Sequence, residues 1–147
     1  MTKGSCLCGK IEYELSASGL YINNCHCSEC RKASGAAFGS FLHISKDDFG
    51  WAKGREYIQV YEEPPDLIRS FCKICGSCMP TIFAEINHVA VPAGTLDDDP
   101  GLQPMMNIFT GSKAPWYTIT DELPNFEKHS PRDFVISYLK NSHKKNT

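Results

Sequence analysis

The chain has 147 residues, a formal net charge of −2 and a sequence pI near 6.2. A chain of this length can bury a stable core without disulfides, so we expect one domain that spans residues 1–147. The balanced charge offers no field that would attract nucleic acid, and no apolar run reaches the roughly 20 residues of a membrane helix, so we expect neither partner.

Alternation of apolar and polar residues predicts a series of short strands. In chain order they are KIEYEL (10–15), AFGSFLHI (37–44), YIQVY (57–61), LIRSF (67–71), TIFAEI (81–86), HVAVPA (88–93), NIFT (107–110) and WYTIT (116–120). Turn signals rich in glycine, proline and aspartate separate them, which predicts a mainly β fold of antiparallel sheets. A helical turn is predicted from Ser28, and a short C-terminal helix is predicted from the N-cap Ser130 through PRDFVISYLK.

Eight cysteines occur in three clusters, CLCG (6–9), CHCSEC (25–30) and CKICGSC (72–78). The first residues contain no apolar stretch typical of a signal peptide, so we expect a cytoplasmic protein. In that reducing compartment, closely spaced thiols bind zinc more readily than they form disulfides. The cysteines therefore predict metal sites.

Two of the clusters place a glycine directly after a close pair of cysteines, Gly9 in CLCG and Gly76 in CKICG. A glycine there allows a positive φ and lets backbone amides point at the sulfurs. Each turn also runs into a predicted strand, so two neighbouring strands would present both turns to one ion. Four thiolates about 2.3 Å from the metal complete a structural zinc site. We predict that its ligands are Cys6, Cys8, Cys72 and Cys75.

The remaining cluster, CHCSEC, lacks the glycine and runs into the predicted helical turn, whose amide end favours thiolate over thiol. Its Cys25, Cys27 and Cys30 would bind a second zinc and leave one coordination position for water or substrate, as catalytic zinc sites do. Two other interpretations stay open: Cys78 completes a second structural site, or the three thiols bind no metal. His26 alternates away from its cysteine neighbours, which favours a supporting or surface position over a ligand.

Several motifs follow one another through nearly the whole chain: GSCLCGKIEYEL, CHCSECRKASGAAF, RSFCKICGS, AGTLDD, IFTGSKAPWY and DELPNFE. In these motifs and their order the sequence resembles the glutathione-dependent formaldehyde-activating enzyme family, which includes the centromere protein V type domains. The resemblance implies a zinc-bearing β-tent of antiparallel sheets with two zinc ions. One would be structural and the other catalytic. Because a three-thiolate site is weaker than a closed four-thiolate site, we expect the catalytic zinc to be the more easily lost of the two. Their implied ligands are Cys6, Cys8, Cys72 and Cys75 for the first, and Cys25, Cys27 and Cys30 for the second.

The resemblance also implies an activity, that of a carbon-sulfur lyase. The enzyme would add a small thiol such as glutathione to a small aldehyde such as formaldehyde and give S-(hydroxymethyl)glutathione. Arg31 and Lys113 are the first candidates to bind the glutathione carboxylates, followed by Lys32 and Arg69. Trp116 would either wall the pocket or pack in the core.

Cys78 departs from the family pattern, in which a non-cysteine residue generally follows CxxCGS. As a buried thiol it would leave the second site with three protein ligands, whereas as a ligand it would close that site. The alternative function is a non-catalytic, zinc-stabilised interaction module or thiol carrier. A methionine sulfoxide reductase, whose fold is similar, would carry a redox cysteine late in the chain, and no cysteine follows Cys78.

Overall fold

A computed structural model of the protein describes residues 1–145, with side chains through Ser142. This part of the chain contains ten strands and two α-helices, so the prediction of a mainly β fold is confirmed. The strands are β1 (Thr2–Ser5), β2 (Glu12–Leu15), β3 (Tyr21–Cys25), β4 (Gly39–Ile44), β5 (Phe49–Lys53), β6 (Ile58–Glu63), β7 (Leu67–Cys72), β8 (Cys78–Phe83), β9 (Val89–Pro92) and β10 (Pro104–Ile108). The helices are α1 (Ser28–Ser34) and α2 (Arg132–Lys145). The chain divides into two compact units, residues 1–22 with 40–103 and residues 23–39 with 104 onward.

The first unit holds two sets of antiparallel strands. One is a three-stranded sheet in the order β1-β2-β5, in which Tyr13 of β2 lies opposite Gly4 of β1 and Trp51 of β5. In the other set the order is β4-β9-β8-β7-β6, and each strand is antiparallel to its neighbour. Because side chains alternate between the faces of a strand, β2 buries Tyr13 and Leu15 and leaves Glu12 exposed.

Two apolar clusters form the interior of the first unit. The buried members of the larger cluster are Tyr13, Leu15, Ile22, Leu42, Ile44, Val89 and Val91. Burial of one such side chain contributes about 1.5–3 kcal/mol, so this cluster supplies much of the stability of the unit. The buried members of the smaller cluster are Cys6, Ile11, Cys72 and Met79. Two of the predicted zinc ligands are therefore surrounded by apolar side chains.

The AGTLDD motif (93–98) has a structural role in the first unit. The Thr95 hydroxyl donates to the Pro92 carbonyl at 2.7 Å, so the Tyr13 hydroxyl is the donor in its 2.7 Å hydrogen bond to Thr95. The Asp97 carboxylate accepts a hydrogen bond from the Ser5 hydroxyl at 2.8 Å. The motif thus holds the loop after β9 against β1 and β2.

The second unit contains most of β3, its neighbour β10 and both helices. The predicted helical turn at Ser28 is confirmed as α1. The predicted C-terminal helix is confirmed as α2, which continues to Lys145, and the Pro131 carbonyl accepts the Phe134 amide at its start. Neither helix of the described chain has the length and apolar composition needed to cross a membrane.

Four details of the strand predictions are wrong. The pattern did not indicate β1, β3 or β5, and the segment WYTIT (116–120) forms a turn and irregular backbone instead of a strand. Alternation alone does not form a strand, because a strand also needs a partner for its backbone amides and carbonyls.

Candidate metal centres and active site

Four cysteines of the first unit converge on one point. The sulfur atoms of Cys6, Cys8, Cys72 and Cys75 all lie within 4.8 Å of one another. The Cys6–Cys8 sulfur distance is 3.6 Å and the Cys8–Cys72 distance is 3.8 Å. Four sulfurs bound tetrahedrally at about 2.3 Å from one zinc ion are about 3.8 Å apart, so the spacing fits zinc. The structure brings together the four cysteines that the turn glycines indicated, and their role as zinc ligands stays a prediction.

Two similar turns carry these cysteines. Gly9 has φ 77° and donates its amide to the Cys6 carbonyl at 3.0 Å, and Gly76 has φ 77° and donates to the Cys72 carbonyl at 2.7 Å. Both glycines adopt the left-handed conformation that the sequence predicts. The Ile11 amide points at the Cys6 sulfur, 3.3 Å away. The turns lead into β2 and β8, which belong to different sheets, so the expectation of two neighbouring strands is wrong.

Ser77 links the two turns, and the sequence analysis did not single it out. Its hydroxyl accepts the Leu7 amide at 2.9 Å and lies 3.2 Å from the Cys75 sulfur. Hydrogen bonds from the Ser77 side chain and backbone lower the pKa of Cys75 to about 5. Cys75 is therefore ready to bind a cation as a thiolate. The sequence signal that could have indicated this role is a serine directly after the turn glycine Gly76.

Three cysteines of the second unit form another group. Cys25 ends β3, Cys27 precedes α1, and Cys30 lies in the first turn of α1. Their sulfurs all lie within 4.8 Å of one another. The Cys27 sulfur accepts the Cys30 amide at 3.3 Å and so caps the helix. Within the described chain, no further cysteine, histidine or carboxylate joins this group, and neither group includes Cys78.

Contacts within this group separate the pKa values of its thiols. Contacts with Cys25 and Cys30 lower the pKa of Cys27 to about 2, and the capping amide acts in the same direction. Contacts with Cys27 and Cys30, together with burial, raise the pKa of Cys25. These contacts therefore favour the thiolate form of Cys27 and the thiol form of Cys25, and a cation would offset the repulsion between two thiolates. This is the electrostatic setting of a metal site.

His26 lies between two of these cysteines, and its side chain is fully buried. Its Nε2 atom lies 3.1 Å from Oδ1 of Asn107. The ring also packs near Phe38 and Tyr117, with centroid distances of 4.9 and 6.3 Å. Burial excludes the surface position that the sequence left open. Asn107 is a site residue that the sequence analysis missed.

The two first candidates for binding substrate carboxylates differ in their surroundings. Arg31 is half-buried, and its Nε atom is buried without a hydrogen-bond partner in the part of the chain that the structure describes. Lys113 donates from Nζ to the carbonyls of Ala114 and Tyr117. Arg31 therefore keeps an unpaired donor, whereas the Lys113 ammonium is occupied within its own loop. The role of both residues in substrate binding stays a prediction.

The remaining candidates are also located. Arg69, in the first unit, donates from Nε to Glu63 at 2.7 Å, and both side chains are largely buried. Lys32 is exposed. Trp116 is 71% exposed, so the interpretation that it packs in the core is wrong. Cys78 begins β8 as a half-buried residue and forms no disulfide.

Comparison with known proteins identifies the family. A family model described as glutathione-dependent formaldehyde-activating enzyme matches residues 1–112. The chain belongs to this family. The match confirms the resemblance seen in the motifs, and the matched residues include all eight cysteines of the chain, Cys78 among them. Lys113, Trp116 and the DELPNFE segment follow the matched residues.

Among solved structures, the chain is similar to the crystal structure of a Rhodobacter sphaeroides protein, with a TM-score of 0.57 and 24% sequence identity. The match covers 66% of this chain and 89% of that chain. At this identity the similarity concerns the fold alone.

Proposed function

We propose that this family member is a zinc-dependent enzyme that joins a small thiol, glutathione or a close analogue, to formaldehyde or another small aldehyde. The reaction forms one carbon-sulfur bond, moves the thiol proton to the carbonyl oxygen and transfers no electrons. The observation that carries the proposal is the group of Cys25, Cys27 and Cys30, whose sulfurs lie within 4.8 Å of one another. Zinc sites with three protein ligands are those that accept a substrate.

The residues of each group have distinct tasks in this proposal. Cys25, Cys27 and Cys30 would hold the catalytic zinc, and the four cysteines of the first unit would hold a structural zinc. Zinc bound by the three sulfurs would lower the pKa of a thiol that becomes its fourth ligand, so that the thiol reacts as a thiolate. The Cys30 amide at 3.3 Å orients the Cys27 sulfur, and contacts with Cys25 and Cys30, assisted by this amide, favour its thiolate form.

Arg31 is the residue best suited to bind a substrate carboxylate. Its guanidinium is permanently charged, and its buried Nε donor has no partner within the described chain. An unpaired buried donor costs free energy that a substrate carboxylate would offset. Glutathione has two carboxylates, so Arg31 would favour it over an uncharged thiol.

The test uses exchange NMR to measure the rate at which the thiol and the hydroxymethyl thioether interconvert, with and without the protein. The difference between the two rates is the catalysed rate. We expect Cys27→Ser to abolish the catalysed rate and to leave one zinc in place. We expect Arg31→Gln to raise the KM for glutathione about tenfold or more, because a charged hydrogen bond is lost, and to leave the KM for 2-mercaptoethanol unchanged. Lys32→Gln, at the exposed neighbouring position, is the matched control.

The alternative of a thiol carrier gives a different result in the same experiment. A carrier would bind glutathione more tightly in the wild type than in Arg31→Gln, and it would not accelerate the exchange. Wild-type protein with two zinc ions and no catalysed rate would therefore overturn the enzyme proposal and favour the carrier.

A further inference from the structure

The side chain between Cys25 and Cys27 is held by contacts of its own. The ring of His26 is fully buried, and its backbone amide donates to the Ile108 carbonyl at 3.0 Å. Its Nε2 atom is paired with Asn107, whereas Nδ1 has no hydrogen-bond partner among the described residues. One directed hydrogen bond and two ring contacts therefore fix this side chain.

The direction of that hydrogen bond follows from the other partners of Asn107. The Nδ2 atom of Asn107 lies 3.0 Å from Oδ1 of Asp121 and 2.9 Å from Oδ1 of Asn125. Oδ1 of Asp121 also accepts the Leu123 amide, as expected of a carboxylate oxygen. The amide nitrogen of Asn107 must then face Asp121, and its Oδ1 faces His26. The Nε2 atom of His26 is consequently the donor.

Asn107 is itself held by the backbone on both sides. It is 1% exposed, its amide donates to the Pro124 carbonyl at 2.9 Å, and its carbonyl accepts the Phe126 amide at 2.9 Å. The DELPNF segment (121–126) thus anchors Asn107, and Asn107 anchors His26. This segment lies beyond the residues that the family model matches, so the match does not imply the contact.

We propose that His26 is a positioning residue for the three-cysteine group and acts through Asn107. Cys25 and Cys27 adjoin His26 directly, so a fixed imidazole also fixes the peptide units that carry both sulfurs. A metal site whose ligands are already placed loses less conformational entropy on binding and releases its metal more slowly. The inference rests on the proposed function, since it assigns His26 to the metal site of that proposal.

The test uses the zinc-loaded full chain and two substitutions of one residue. His26→Phe keeps an aromatic ring but leaves the buried Asn107 oxygen without a donor. His26→Gln places an amide N–H near the position of Nε2 and restores the donor. We expect zinc release from the three-cysteine group to a chelator to be about tenfold faster in His26→Phe and within about threefold of wild type in His26→Gln. Cobalt substituted for zinc should show altered thiolate-to-metal absorption in His26→Phe only.

His43→Phe is the matched control, because it also replaces a buried histidine but belongs to the first unit. It should leave the release rate and the cobalt spectrum unchanged. Equal rates of zinc release from His26→Phe and from the wild type would overturn the inference. Equally fast release from His26→Gln and His26→Phe would also overturn it, because the defect would then come from packing.

Hydrogen exchange separates a failure of this inference from a failure of the proposed function. A wild-type chain that binds only one zinc would overturn the proposed function. The amides of residues 25–30 then decide the inference: faster exchange in His26→Phe, with wild-type exchange in His26→Gln, would support positioning by the imidazole. Unchanged exchange in His26→Phe would overturn it.

Discussion

The hydroxyl of Ser77 lies 3.2 Å from the sulfur of Cys75 and at the same time accepts the amide of Leu7 from the opposite turn. Because its oxygen accepts from Leu7, the hydroxyl hydrogen is free to point at the sulfur. One side chain therefore joins the two turns of the four-cysteine group and stabilises the thiolate of Cys75.

Ser77→Ala should make the four-cysteine group lose zinc at a higher pH. The Ser77 hydrogen bonds lower the pKa of Cys75 to about 5, so the thiolate persists as the pH falls. Without the hydroxyl the pKa rises towards its ordinary value, and protons compete with the metal sooner. Zinc release measured against pH with a chromophoric chelator checks this, with Ser112→Ala at an exposed position as the control. An unchanged pH midpoint of zinc release would show that the Ser77 hydroxyl does not affect metal binding.

Cys8→Ser and Cys72→Ser should each remove one zinc and destabilise the chain. Both sulfurs belong to the closed four-sulfur group, and binding of a structural metal contributes directly to folding. We expect a loss of one zinc per chain and a fall in Tm of about 10 °C or more. Metal analysis and calorimetry test this, and a variant with unaltered metal content and Tm would contradict the ligand assignment.

Cys78→Ser should retain both metal ions. Cys78 joins neither sulfur group and begins β8 as a half-buried residue. We expect only a packing cost of about 1 kcal/mol. Loss of the second zinc alone would show that Cys78 is a ligand, and the proposed function would then give way to a structural module.

The sulfur count at the second zinc should depend on the supply of thiol. Because the three-cysteine group offers three protein ligands, X-ray absorption should report seven zinc-sulfur bonds per two zinc ions without thiol and eight with glutathione. The second zinc should also be the first that a chelator removes. Eight zinc-sulfur bonds in both states would exclude the exchangeable position that the proposed reaction needs.

The imidazole of His43 should remain neutral well below the pH at which histidine usually titrates. Burial, and then the nearby His88, lower the pKa of His43 to about 3. In the unfolded chain the same group titrates near 6.5, so between about pH 6.5 and 3 the unfolded chain binds more protons. The contribution of His43 to the free energy of unfolding is fully present above about pH 6.5, and it is lost as the pH falls from about 6.5 to 3.

Two measurements check this prediction. The ring signals of His43 in NMR should not titrate at pH 5 in the folded protein, whereas those of the urea-unfolded chain should. Relative to His43→Phe, wild-type protein should lose about 1.5 kcal/mol of unfolding free energy between pH 6.5 and 5. A folded-state titration near pH 6.5 would refute the burial argument.

The strand β2 was predictable from sequence, because one of its faces is buried and the other is not. In β2, exposed or half-buried residues alternate with buried ones. The segment YINNC was not recognised, because four of its five residues are buried in succession and two of them are asparagines. A strand buried on both faces has no alternation, and a buried polar residue gives no apolar signal.

The same limit applies to the candidate site. The cysteine groups were predictable because short spacings and two glycines fix the local turns. The hydrogen bond between His26 and Asn107 was not predictable, because 81 residues separate the two and the asparagine lies in an apolar strand. The role of Ser77 was predictable in part. Its position directly after the turn glycine is a local signal, but its contact with Leu7 joins residues that are 70 positions apart.

The 3.8 Å distance between the Cys8 and Cys72 sulfurs has a consequence for the unfolded chain, because 64 residues separate the two cysteines. Zinc bound to both would act as a reversible crosslink that closes a long loop. Holding a loop of this length shut in the unfolded chain lowers its entropy by the equivalent of about 4 kcal/mol, as a disulfide would. Unlike a disulfide, this crosslink forms without an oxidant, and its strength varies with the free concentration of zinc.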